Sequence, residues 1–368
     1  MTSFLALAFI LALAWANGAN DNFKGVATLF GSGVSDYQKA LNWATGATLA
    51  GSIAAIWLTS QLVAAFSGKL FVSASVLALP GFALAVCAAC AATVLLATRL
   101  GLPISTTHAL AGALLGAAVA APDSVVNWSK AGSQIFLPLA VGPLLAVTLA
   151  VALYPPLSFL RRRLGISRQS CVCIDNQWVP QAGGTASLGA IRVVVETQAV
   201  CQERYGGQLV GFPAQRAIDG LHYLSAGALS FARGLNDTPK IVALTLLALP
   251  ALGAGSGSFA AVGMVIALGG LLGARRVAET MSKKITAMNP GQGLTANLIT
   301  SALVLTASPL GLPLSTTHVS CGALFGIGAV TGQARWKTIG GILAAWLITL
   351  PLAAALGAGF MRTALLTY

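Results

Sequence analysis

The chain has 368 residues, of which 56% are apolar and only 8% are charged. A soluble domain carries about 25% charged residues, so this chain cannot cover a water-facing surface and a soluble fold is excluded. The formal net charge of +12 would raise nucleic acid as a partner for a soluble protein. Here most basic residues fall in short loops between apolar runs, the bias of cytoplasmic loops, and no nucleic-acid partner is expected.

Taken in chain order, the first apolar segment is Met1–Ala16. Ala14-Trp15-Ala16 has the form of a signal-peptide cleavage site, but no Lys or Arg precedes the apolar stretch. A segment of the same kind, ending in the same Asn-Asp, recurs at Leu221–Asp237. Met1–Asp21 is therefore expected to be mature structure. The runs Leu41–Phe66, Pro80–Ala97, Ile135–Tyr154, Ile241–Leu272 and Ile339–Ala358 each approach or exceed the roughly 20 residues that span a bilayer. The alternation of an outer-membrane barrel is absent. The fold class predicted is an all-α polytopic membrane protein.

Two phrases are written twice. Gly101-Leu102-Pro103-Ile104-Ser105-Thr106-Thr107-His108 returns as Gly311-Leu312-Pro313-Leu314-Ser315-Thr316-Thr317-His318. Asn17-Gly18-Ala19-Asn20-Asp21 has its counterpart in Arg233-Gly234-Leu235-Asn236-Asp237. The same order at nearly the same spacing implies duplication, and in so apolar a chain it points to a transporter built from two repeats. The first repeat is placed at residues 1–160, a polar connecting loop at 161–217, and the second repeat at 218–368. The loop opens with Arg161-Arg162-Arg163, and its run Ile191–Glu196 reads as a short strand. The loop holding Arg275, Arg276, Lys283 and Lys284 is far more basic than its counterpart around Lys69. By the positive-inside rule the two lie on opposite faces, so the repeats are expected to be inverted, with the polar loop cytoplasmic.

Nine carboxylates occur in the chain. Asp36, Asp123, Asp175, Glu196, Glu203 and Glu279 fall in loops or at segment ends, and Asp219 begins an apolar stretch. Asp21 and Asp237 remain, at equivalent places in the duplicated motif. A charge at membrane depth costs on the order of 3 kcal/mol by insertion scales, so this pair is the primary candidate site. Gly18 and Gly234 with Asn20 and Asn236 suit a helix break, and Pro239 suits the start of a new helical segment. Such breaks line polar cavities. Pro103 and Pro313 suit a first helical turn. Ser105-Thr106-Thr107 and Ser315-Thr316-Thr317 then set hydroxyls beside the free amides of a helix N-terminus, which is an anion site; the plainer alternative is N-capping. His108 and His318 either orient the site, relay protons or pack. Lys24 and Lys240 follow the aspartates by three residues, so each pair can meet on a helix. They neutralise a costly Asp, supply positive charge to a bound anion, or both. His222 has no counterpart and receives no role.

Cys87, Cys90 and Cys321 lie in apolar segments as core thiols, while Cys171, Cys173 and Cys201 make only a weak metal or redox pattern. No nucleophile–base constellation marks an enzyme, and no cofactor is expected.

On these motifs, together with the run Arg276-Val277-Ala278-Glu279-Thr280 through Ile285-Thr286, the chain resembles the inorganic phosphate transporter family. The resemblance covers both repeats. It implies inverted repeats with broken helices and helical hairpins, about 10–12 membrane segments, a homodimer in the cell (inner) membrane, and movement of phosphate with a coupling cation. It assigns Asn20, Asp21, Ser105, Thr106 and Thr107 to one half of the substrate site, and Asn236, Asp237, Ser315, Thr316 and Thr317 to the other. The sequence departs from the family at Lys24, where many members have Asn, and it lacks a carboxylate between Asp36 and Asp123. An ammonium group would repel a sodium ion 4 Å away by about 4 kcal/mol at an effective dielectric near 20. Proton coupling through Asp21, Asp237 or a His is therefore expected over sodium, which if used would sit near Asp21 and Asp237. Sulfate or another tetrahedral oxyanion is the alternative substrate. Phosphate can donate a proton to a carboxylate and sulfate cannot, so the retained aspartates favour phosphate. An anion channel is a more distant alternative.

Overall fold

The computed structural model describes residues 2–163, 170–180, 186–197 and 212–367. Helix α1 (Thr2–Asp21) ends on the first Asn-Asp and passes through a 3-10 turn, Asn22–Gly25, into α2 (Ala27–Gly31). Helix α3 (Tyr37–Leu58) starts where the Asp36 carboxylate accepts the Lys39 amide at 2.8 Å, a standard N-cap. At Thr59 it bends by 88° into α4 (Ser60–Phe66). There follow α5 (Ala74–Leu77), α6 (Phe82–Arg99), α7 (Thr106–Ala120) and α8 (Trp128–Ala131). A π turn then leads into α9 (Leu137–Arg163).

Between the halves, β1 (Ser170–Pro180) pairs antiparallel with β2 (Ala186–Thr197) and with β3 (Phe212–Pro213), in the order β2-β1-β3. The strand expected at Ile191–Glu196 lies within β2. The expectations for Cys171 and Cys173 concern side chains, and that for Cys201 a residue, outside the described set. The second half comprises α10 (Ala214–Ala248), α11 (Ser256–Gly273), α12 (Arg275–Glu279), α13 (Pro290–Ala307), α14 (Thr316–Thr331) and α15 (Trp336–Thr367). Outside the strands the described chain is helical, as expected.

Five helical segments among the described residues are long and apolar enough to cross a membrane, six if α3 and α4 form one bent span. The expected ten to twelve segments are approached only by counting α7, α10, α13 and α14. Two of these are short, with 15 residues in α7 and 16 in α14. Helix α10 carries Arg233, Asp237 and Lys240 in its middle, which lowers its hydropathy where the site is built.

The halves pack by exchange. Helix α1 lies on α11 and α10 on α3, while α7 lies on α15 and α14 on α9. Glycines permit the closest crossings: a Cβ on Gly18 would overlap the Ile266 carbonyl, and one on Gly234 the Thr48 carbonyl. Small residues at such crossings let backbones approach, which is how helices gain packing energy in lipid. The thiols of Cys87, Cys90 and Cys321 are buried and free.

Candidate oxyanion site at the paired Asn-Asp and Ser-Thr-Thr motifs

The two motif pairs meet at one place, closed off from solvent. Asn20, Asp21, Lys24, Thr106, Thr107, Asn236, Asp237, Lys240, Thr316 and Thr317 are each no more than 4% exposed. The first Asn-Asp motif lies where α1 stops. Val26 leaves helical geometry at φ −114°, ψ 5°, and Gly25 fits because its missing Cβ avoids Ser230. The Asn22 amide fastens the turn to α3, donating to Thr45 Oγ1 at 2.8 Å and accepting from Thr48 Oγ1 at 3.0 Å.

The second Asn-Asp motif corrects the expectation of a matching break. Helix α10 continues through Asn236 and Asp237, with Pro239 inside it. Proline holds φ at a helical value and forfeits one amide donor. The position equivalent to Gly25 is Ile241, so the freedom that releases the first copy is missing from the second. Pro103 and Pro313 also depart from expectation. They lie two residues before the N-caps Ser105 and Ser315, in the extended approach to α7 and α14. Ser105 Oγ accepts the His108 amide and Ser315 Oγ the His318 amide, each at 3.2 Å. These two serines are caps, and the threonines after them face the aspartates.

The threonines meet the aspartates and the lysines. Thr106 Oγ1 donates to Asp21 Oδ2 at 3.1 Å, and Thr316 Oγ1 lies 3.4 Å from Asp237 Oδ2. Thr107 and Thr317 reach across to the other half. Lys240 Nζ donates to Thr107 Oγ1 at 2.8 Å, and Lys24 Nζ to Thr317 Oγ1 at 2.6 Å. Each lysine also donates to a carbonyl of its own hairpin, Lys24 to Ile104 O at 3.0 Å and Lys240 to Leu314 O at 3.1 Å. The expected i,i+3 ion pairs are present, Lys24 with Asp21 and Lys240 with Asp237 at 3.2 Å. Asn20 bonds Thr98 Oγ1 at 3.1 Å and Leu102 O at 3.0 Å. Asn236 bonds Leu314 O at 3.1 Å and takes the Ser308 hydroxyl at 3.3 Å. Thr98 and Ser308 are themselves equivalent positions in the two copies.

His108 on α7 and His318 on α14 come together, with ring centroids 4.4 Å apart. His318 stacks on Trp346 at 3.8 Å, and the Trp346 indole donates to Pro103 O at 3.1 Å. His108 Nδ1 and His318 Nε2 have no hydrogen-bond partner among the described residues.

Sequence reasoning missed Asn17 and Arg233, which head the two copies of the motif. Asn17 Nδ2 donates to Asp21 Oδ2 at 2.9 Å and to Thr106 Oγ1 at 2.8 Å. Arg233 Nη2 stands 3.6 Å from Asp21 Oδ2 and 3.6 Å from Asp237 Oδ2, between the two carboxylates. A lone basic residue within an apolar stretch, one residue before a motif glycine, was the available signal. The finished centre holds two lysines and one arginine against two aspartates, ringed by hydroxyls. Such a donor-rich, positively biased centre is suited to an oxyanion.

The sequence model of the phosphate transporter family matches residues 17–357. A Pyrococcus abyssi protein carrying the name phosphate permease is 26% identical over 96% of both chains. The "Probable low-affinity inorganic phosphate transporter" of Mycobacterium tuberculosis is 27% identical over 95% of this chain and 74% of its own. A solved structure titled "The sodium-dependent phosphate transporter" superimposes over the whole of both chains with a TM-score of 0.78 at 20% identity, so the fold is shared. With a family match across nearly its whole length, the chain belongs to the phosphate transporter family.

Proposed function

We propose that this protein is a secondary active transporter of inorganic phosphate, driven by protons rather than sodium, working as a homodimer in the cell membrane. The substrate site is the centre formed by Asn20, Asp21, Ser105, Thr106, Thr107, Asn236, Asp237, Ser315, Thr316 and Thr317. Residues 1–160 and 218–368 act as two inverted repeats around it, joined on the cytoplasmic side by residues 161–217. The crosswise bonds Lys24–Thr317 and Lys240–Thr107 carry the proposal. They draw both hairpins onto one point and put a tethered ammonium beside each aspartate. A sodium ion placed there would meet a like charge at close range. Protons coupled to transport would then be held by Asp21, Asp237 or the His108–His318 pair. A site closed to solvent on all sides fits an intermediate of alternating access, in which the crosswise bonds must open for phosphate to enter or leave.

Uptake of labelled phosphate into proteoliposomes tests this. Accumulation should follow an imposed pH gradient, collapse with a proton ionophore and persist without sodium. Uptake indifferent to the ionophore and abolished by removing sodium would reverse the coupling assignment. Competition by arsenate but not by sulfate is expected, and equal competition by sulfate would reassign the substrate.

A further inference from the structure

The two copies of the site differ in charge at one matched position: Asn17 in the first is Arg233 in the second. Asn17 spends its amide donors within its own half, on Asp21 and Thr106. Arg233 does not repeat that pattern. Its Nη2 lies between Asp21 and Asp237 at 3.6 Å from each, longer than a good charge-assisted hydrogen bond of about 2.7–2.9 Å. Its Nε and Nη1, which carry three N–H donors, have no acceptor among the described residues, although the side chain is only 3% exposed. A guanidinium is protonated at any physiological pH, so it cannot shed its charge to ease burial. Buried charged donors without acceptors are costly, and they persist where something else satisfies them. The centre also holds one positive charge more than its two carboxylates balance.

We propose that Arg233 is a substrate-binding and affinity-determining residue, whose unpaired N–H donors grip the oxygens of the bound oxyanion and whose charge makes the centre receptive to an anion without a mobile cation beside it. Phosphate then supplies acceptors for the Arg233 donors and negative charge to balance the guanidinium. The planar fork of a guanidinium fits a tetrahedral oxyanion better than the point charge of an ammonium. Arg233 therefore binds and orients, while Lys24 and Lys240 hold the hairpins. This rests on the oxyanion reading of the site given above.

Two variants of the full-length protein test it, Arg233→Asn, which copies the residue of the first half, and Arg233→Lys, which keeps the charge and loses the fork. Two readouts separate binding from folding: the rise in melting temperature that phosphate gives each variant over its own ligand-free form, and the split of transport into kcat and KM. Arg233→Asn should lose most of the phosphate-induced rise and increase KM at least tenfold. Arg233→Lys should fall between it and the parent. If Arg233→Asn does not fold, Arg233→Lys alone must still show a smaller rise and a higher KM. A phosphate-induced rise and a KM within twofold of the parent, in whichever variants fold, would overturn the assignment and leave phosphate transport standing. If the parent responds to sulfate and not to phosphate, the substrate reading fails instead, and the same variants measured with sulfate still decide the role of Arg233.

Discussion

Replacing Asp21 by Asn strands the Lys24 ammonium in a site with almost no access to water. The geometry makes the cost legible, because Lys24 keeps only neutral acceptors: the amide of Asn20, the Ile104 carbonyl and the Thr317 hydroxyl. Breaking a buried ion pair from one side costs about 3–5 kcal/mol. Asp21→Asn and Asp237→Asn should therefore each cut phosphate uptake at least tenfold and lower the melting temperature in detergent. The double variant Asp21→Asn with Lys24→Asn should recover much of that stability, because the Lys24 ammonium is no longer stranded, yet still fail in uptake. Recovery of uptake in the double variant would mean that the pair is structural only. At this scale much was readable in the sequence. The Asp–Lys spacing of three residues gave both ion pairs, and the repeated hydroxyls gave the facing threonines. The bond from Lys24 to Thr317 was not readable, because it joins residues 293 positions apart and depends on how the two halves dock. Arg233 was overlooked because its counterpart is an asparagine, and reasoning by repetition discounts a residue that does not repeat.

At the scale of the element, the hairpin helices α7 and α14 and the crossing helices α1 and α10 depend on different features. The hairpins begin at serine caps, as the Ser-Thr-Thr pattern allows. The crossings rest on Gly18 and Gly234, where added methyl groups would run into the Ile266 and Thr48 carbonyls. Gly18→Ala should destabilise the protein by at least the roughly 1–3 kcal/mol typical of overpacking, since the obstacle is backbone rather than a movable side chain. Gly46→Ala provides the contrast. Gly46 lies within α3 with open space where its Cβ would be, and this change should stabilise by up to about 1 kcal/mol through helix propensity. Thermal unfolding of the two variants side by side checks the sign of each effect, and equal effects would remove the packing argument. The sequence marked both Asn-Asp motifs as breaks, and only the first is one. The difference lies in Gly25 against Ile241 and in the Asn22 amide, which holds its turn to α3. A motif reports what a backbone can do, and its neighbours decide whether it does so.

Across the whole molecule, equivalent helices keep equivalent company, and that company belongs to the other half. Helix α7 lies on α15, as α14 lies on α9, and α1 lies on α11, as α10 lies on α3. The two isolated backbone bridges, Val72 with Val126 and Thr286 with Ala334, are by contrast internal to each half. Duplication was evident from the sequence, but exchange was not, because repeated motifs fix which segments are alike and not which ones touch. A chain stopped after Gly332 should keep every residue of the proposed site yet lose α15, and with it the seat of α7 and the Trp346 bond to Pro103. It should neither bind phosphate in a thermal-shift assay nor transport it, whereas residues 1–211 and 212–368 made as separate chains in one cell should restore uptake together. Uptake by the stopped chain would show that α15 is dispensable. The exchange also bears on how the protein is made. Segments leave the ribosome in order, so α7 must wait in the membrane with one flank bare until α15, made after α14, arrives to cover it. Until α10 is made, Asp21 and Lys24 can satisfy one another, but Thr107 has no lysine to meet. Assembly of the centre therefore waits on the second half of the chain, whose Lys240 and Thr317 bring the two hairpins to a common point.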